Sequence, residues 1–144
     1  MSIERVQPAG LFPDPPYAYA SVVAAGSLVF TAGACPLDAD GKVVGVGDVA
    51  MQADQAVRNL FRTLEAAGSP PGSVVKTTIF VASANQADLV RAWDVVKAAF
   101  GDHDPPSTLL GVAQLGYSGQ LVEIEAIATT EHPAGAGREG LRAT

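Results

Sequence analysis

The chain has 144 residues, 48% of them hydrophobic and 17% charged, and carries a formal net charge of -6. This is the size and composition of one globular domain with a full core, and two domains are not expected. The acidic balance repels a phosphate backbone, no Lys/Arg cluster overrides it, and no apolar run approaches the ~18–20 residues of a membrane span, so neither nucleic acid nor a membrane is an expected partner.

The opening stretch, MSIERVQPAG, lacks the basic-then-apolar layout of a secretory signal, and a soluble, cytoplasmic protein is expected. Residues 19–33, YASVVAAGSLVFTAG, hold two short β-rich runs broken at Gly26 and Ser27, which read as a hairpin. A turn follows at Asp40 and Gly41. Over 48–67, Val49, Ala53, Val57, Leu60, Leu64 and Ala67 recur at helical spacing, with Asp48 as N-cap and Gly68 as the stop. SVVKTTIFVAS, 73–83, alternates as a strand. Ser83 and Gln86 then have the spacing of a capping box, opening a helix whose stripe of Leu89, Ala92, Trp93, Val96 and Phe100 reads as core and ends at Gly101. DHDPP breaks the chain, STLLGVAQL and QLVEIEAIA read as strands either side of residues 116–119, and 131–144 reads as a flexible tail.

This order gives a mixed sheet whose two long helices cover one face only. In residues 122–128, VEIEAIA, one side is apolar throughout, through Val122, Ile124, Ala126 and Ala128. The other side, Leu121, Glu123, Glu125 and Ile127, sets two carboxylates between two large aliphatics on the uncovered face. A second copy of the chain is the economical cover.

Several motifs in order resemble one family: YAYASVVAAGSLVFTAGACPLD, VVKTTIFVAS, PPSTLLGVAQL and LVEIEAIA. Over about residues 1–130 the chain resembles the reactive-intermediate (imine/enamine) deaminases, called the Rid or YjgF family and also known as endoribonuclease L-PSP-like proteins. The resemblance implies a single α/β (α+β) domain of chorismate-mutase-like fold, with a mixed six-stranded sheet and two long helices on one face. It also implies a homotrimeric barrel with small-molecule pockets between subunits. Carried over residue by residue, the pocket would comprise Tyr19, Thr31, Ala32, Gly33, Ser107, Thr108 and Glu123, with Glu123 as the catalytic group that holds or activates the hydrolytic water. The family's carboxylate-gripping Arg is replaced by Ser107, and Ala32 and Ala34 stand where Ser and Gln are common in the family.

Imine hydrolysis needs an aimed water, a proton-handling group and donors that hold the substrate, and no metal or organic cofactor. Burial of Glu123 between Leu121 and Ile127 would favour its neutral form and suit it to proton traffic. Tyr19 offers a hydroxyl and the 31–33 segment offers backbone N–H groups. A hydrolase for an imine or enamine other than the usual 2-imino acids is therefore expected. A non-catalytic trimer that binds a small metabolite is the alternative, and a ribonuclease or translation inhibitor is a third reading that the acidic charge disfavours. Arg58, Arg62 and Arg91 are expected on helices away from the site. Cys35 has no histidine placed to activate it and reads as a small buried residue; His103 and His132 lack metal-ligand partners, and GVG at 45–47 lacks the setting of a phosphate loop.

Overall fold

The computed structural model describes residues 3–24 and 26–130; the expected tail at 131–144 lies outside them. The elements in chain order are β1 (Ile3–Val6), β2 (Ala20–Val23), β3 (Ser27–Phe30), α1 (Val49–Ala66), a 3-10 turn (Pro71–Ser73), β4 (Val74–Val81), α2 (Gln86–Phe100), β5 (Ser107–Gly111) and β6 (Val122–Thr130). Among the described residues, six strands and two helices thus form a mixed α+β fold. Four of the strands make a mixed sheet in the order β3-β6-β4-β5, and β1 and β2 make a separate antiparallel pair.

The 20–30 segment is not a hairpin. β2 pairs with β1, through Ile3 opposite Val23 to Val6 opposite Ala20. β3 pairs with β6, through Ser27 opposite Thr130 to Phe30 opposite Ile127. A four-residue strand gains more from the edge of a nine-residue strand that is already in a sheet than from another short strand, because an isolated two-stranded ribbon is marginal in water. The β1–β2 pair is tied to the main sheet instead, where the Ser21 hydroxyl donates to Val75 O at 2.8 Å.

α1 starts where expected: the Asp48 side chain accepts from Met51 N at 3.0 Å, and the helix buries Val49, Ala53, Val57, Leu60 and Leu64. Full burial of Leu60 and Leu64 contributes about 1.5–3 kcal/mol each. α2 is capped by Asn85, which accepts from Ala87 N at 3.0 Å, and not by Ser83. The Ser83 hydroxyl instead donates to Asp88 and accepts from Asn85 N, fixing the turn just ahead of the cap. Phe61 and Phe100 join the two helices edge to face at 5.0 Å.

Alternation along β4 and β6 sorts the sheet into two faces. Thr77, Ile79 and Val81 of β4 and Val122, Ile124, Ala126 and Ala128 of β6 are buried beneath the helices. The opposite face carries Lys76, Thr78 and Phe80 beside Glu123, Glu125 and Ile127, all half-buried. Phe30, 70% exposed, and Leu110, 42% exposed, extend this face. The described residues place no helix over it.

Candidate active site

The site is built where the chain leaves β3 and runs beside β6. Thr31 N donates to Ala126 O and the Thr31 hydroxyl accepts from Ala126 N, both at 3.0 Å. Ala34 then exchanges both backbone bonds with Ile124, at 2.7 and 3.1 Å. Three residue steps on one side match two on the other, so one residue is extra and the 32–33 backbone bulges out of the ladder. The Thr31 hydroxyl stands in for the missing carbonyl. Bulges of this kind re-aim neighbouring groups and recur beside active sites.

The bulge brings Gly33 onto Glu123. A Cβ on Gly33 would stand 2.5 Å from Glu123 Cδ and 2.8 Å from its Oε2, so only a residue without a side chain fits while the carboxylate keeps its place. Two residues on, the Cys35 thiol donates to Glu123 Oε1 at 2.9 Å, and Gln120 Nε2 reaches the same oxygen at 3.5 Å. Oε2 has no hydrogen bond among the described residues. Burial, reinforced by the Glu123 hydrogen bond and charge and opposed by Gln120, pushes the Cys35 thiol up to about 11, so it is a protonated donor at neutral pH. Gln120, 4% exposed, is itself fixed by Tyr117 N and Val122 O at 3.1 Å each. The start of β6 is held by Gln52, fully buried, whose side chain accepts from Leu121 N and donates to Gly119 O and Gly45 O.

Within the chain the expected pocket residues do not all come together. Gly33 and Glu123 are in contact; Ala32 lies exposed on the bulge beside them, and Thr31 anchors it. Thr108 lies on the same sheet face as Glu123 but accepts from Lys76 Nζ at 2.6 Å. Ser107 is on the other face: it lies opposite Thr77, its hydroxyl 2.6 Å from that buried hydroxyl, and it also donates to Pro105 O. The Tyr19 hydroxyl donates to Phe12 O at 3.0 Å and its ring meets Tyr17 edge-on, in a segment where Phe12 is 66% exposed.

Two side chains depart from the expectation drawn from sequence. Cys35 is half-buried and bonded to the carboxylate; its i, i+2 relation to Gly33 in an extended segment is the only local signal that it would share Glu123's side. Arg62 is not remote from the site. It lines a cavity of about 410 Å³ with Gly33, Cys35, Asn59 and Tyr117, because Asn59 of α1 donates to Cys35 O and Leu37 O and so holds that segment against the helix. On the open face, Thr31, Lys76, Thr78 and Glu125 line a smaller hollow of about 140 Å³, where burial lowers the Lys76 ammonium below its usual range. Among the described residues no three His, Cys, Asp or Glu gather closely enough to hold a metal ion, and no helix is long and apolar enough to cross a membrane.

Known proteins share this architecture. The solved Rid-family protein YyfB from Yersinia pestis superposes with a TM-score of 0.83 at 29% identity, covering 90% of this chain and 99% of that one. The YjgF gene product from E. coli gives 0.64 at 34% identity, covering 85% and 91%. In sequence, a Salmonella typhimurium protein named 2-iminobutanoate/2-iminopropanoate deaminase is 38% identical over 113 residues, spanning 76% of this chain and 85% of that protein. A RutC family protein of Pyrococcus horikoshii is 33% identical over 119 residues, spanning 83% and 92%. The family model described as Endoribonuclease L-PSP matches residues 11–130, which take in the bulge, Cys35 and Glu123, and the chain therefore belongs to the Rid/YjgF (endoribonuclease L-PSP) family.

Proposed function

We propose that this protein hydrolyses a small imine or enamine that lacks the α-carboxylate of the usual 2-imino acids, without a cofactor. The observation that carries the reading is the environment of Glu123: one carboxylate oxygen is held by Cys35 and Gln120, and the other faces the Gly33 bulge without a bond of its own among the described residues. A carboxylate fixed in this way can accept a proton from a water as that water attacks an imine carbon, and return it to the departing nitrogen. The 32–33 backbone, released from the ladder, offers N–H groups to the substrate. Deaminase-named relatives support the reaction class. The neutral Ser107, turned toward Thr77, supports a substrate without the carboxylate.

The open sheet face supports a homotrimer in which copies of the chain cover Phe30, Phe80, Leu110 and Ile127. The Tyr17–Tyr19 segment, where Tyr17 is exposed, and the β5 edge would then reach Glu123 only across a subunit boundary. Imines made in place from neutral amines and from amino acids by oxidases, with and without the protein, test the reading. Faster loss of the carboxylate-free imine is expected, and no acceleration of any imine overturns it. Sedimentation equilibrium at micromolar protein tests the trimer, and a monomer mass overturns it.

A further inference from the structure

We propose that Cys35 is a positioning residue for Glu123: its thiol proton holds Oε1 and keeps the carboxylate turned so that Oε2 meets the water. The inference rests on the reading of Glu123 as the proton-handling group. Three observations carry it. The thiol has two acceptors in reach, Glu123 Oε1 at 2.9 Å and Gly33 O at 3.6 Å, and the shorter contact goes to the carboxylate. The sulfur shares the site with the Gly33 bulge, which leaves the carboxylate no room to swing toward the backbone. Gln120, the other donor to Oε1, is more distant at 3.5 Å and already bonded to Val122 O, so the thiol is the principal restraint.

The charged and titratable groups around the pair are few. Glu123 itself approaches from β6; Arg62 from α1, Asp38 from the following turn and Tyr117 from the loop before β6 line the cavity that Cys35 also lines. Of these four groups, Glu123 alone makes a hydrogen bond to the thiol.

Cys35→Ala and Cys35→Ser test the role in the full-length protein. Cys35→Ala is expected to lower kcat about tenfold with little change in KM. Cys35→Ser, which keeps a donor, is expected to recover part of the lost kcat. A Cys35→Ala protein that folds with wild-type kcat overturns the proposal. A second arm needs no substrate. The chain has one cysteine, so its S–H stretch in the Raman spectrum and the pH dependence of its alkylation by iodoacetamide are unambiguous. Glu123→Gln should raise the S–H frequency and bring the alkylation midpoint down from about 11 toward the ordinary 9.0. Unchanged values in Glu123→Gln overturn the pairing, whereas absence of turnover in the wild type overturns only the functional reading on which the role depends.

Discussion

Gly33 and Glu123 occupy the same space: the position of a β-carbon on the first lies 2.5 Å from the carboxyl carbon of the second. The atom met is the far part of a flexible side chain and not backbone, so a methyl group there displaces the carboxylate instead of the strand. Gly33→Ala is therefore expected to fold, at a cost of about 1 kcal/mol or less, and to lose most turnover, at least about tenfold in kcat. Its S–H stretch should match that of a thiol freed from Glu123. Thermal denaturation, steady-state kinetics and Raman spectroscopy check the three parts, and wild-type kcat in Gly33→Ala would show that Glu123 does not need this place.

Glu123 and Glu125 share one face of β6 but not one neighbourhood. Glu123 lies opposite Phe80 and meets Cys35 and Gly33; Glu125 lies opposite Thr78, in the hollow with Lys76. Glu123→Gln keeps the shape and removes the base, and kcat is expected to fall by about a hundredfold or more with assembly unchanged. Glu125→Gln is expected to leave kcat within about threefold and to alter, if anything, the subunit equilibrium. Kinetics paired with sedimentation decides between them; equal loss in both variants would place the chemistry at neither residue alone.

Much of this arrangement is legible in the amino-acid sequence. Asp48, the apolar repeat of α1 and the two-residue alternation of β6 are local signals, and each holds in the fold because local preference and burial agree. The features that escape local rules depend on distant partners. The 20–30 stretch satisfies hairpin rules locally, yet Phe30 finds Ile127 and Val23 finds Ile3. Ser83 has capping-box spacing, yet Asn85 is better placed by the turn. Cys35 and Glu123 are 88 positions apart, and only the one-residue bulge between Thr31 and Ala34 brings sulfur to oxygen. No periodicity encodes that bulge.

Titration adds a prediction at the opposite end of the domain. Arg5 Nη2 lies 2.6 Å from His103 Nδ1, and His103 Nε2 lies 2.8 Å from Val74 O, which fits a neutral ring donating through Nε2 and accepting through Nδ1. Burial first, with the Arg5 charge, lowers His103 below its ordinary 6.5, against the opposing pull of the Val74 carbonyl and Asp104. The unfolded chain then takes up the proton first, so this contribution to stability is complete above pH 6.5 and is lost as pH falls through the folded-state value. Melting temperatures measured downward from pH 8 should stay flat to about pH 6.5 and then decline, and His103→Asn should decline less steeply. For Cys35 the value is raised, so its contribution is complete below 9.0 and is lost as pH rises through about 11. Cys35→Ala should flatten that alkaline decline, and identical curves would show that the thiol does not titrate as described.

Ser107 gives the sharpest test of substrate choice. A guanidinium pairs with a carboxylate through charge-assisted bonds of about 1.5–3 kcal/mol, which a hydroxyl cannot match, so 2-iminopropanoate should be hydrolysed about a hundredfold less efficiently than by a relative with Arg at this position. Restoring the side chain alone should not repair the deficit. The Ser107 hydroxyl is 2.6 Å from that of Thr77, which is 1% exposed, and Ser107→Arg leaves this buried hydroxyl without its partner at a cost of about 1–3 kcal/mol. The preceding Pro105 and Pro106 are both buried, so the strand start has little freedom to re-aim a longer side chain. Ser107→Arg is thus expected to lower the melting temperature and to recover less than about tenfold of the missing kcat/KM, whereas Ser107→Arg with Thr77→Val, which removes the orphaned hydroxyl, should regain stability. Imine generated in place by an amino-acid oxidase, followed in the three proteins side by side, gives the comparison. A wild-type rate equal to that of the Arg-bearing relative would mean that another group, with Arg62 beside Cys35 the first candidate, already binds the carboxylate.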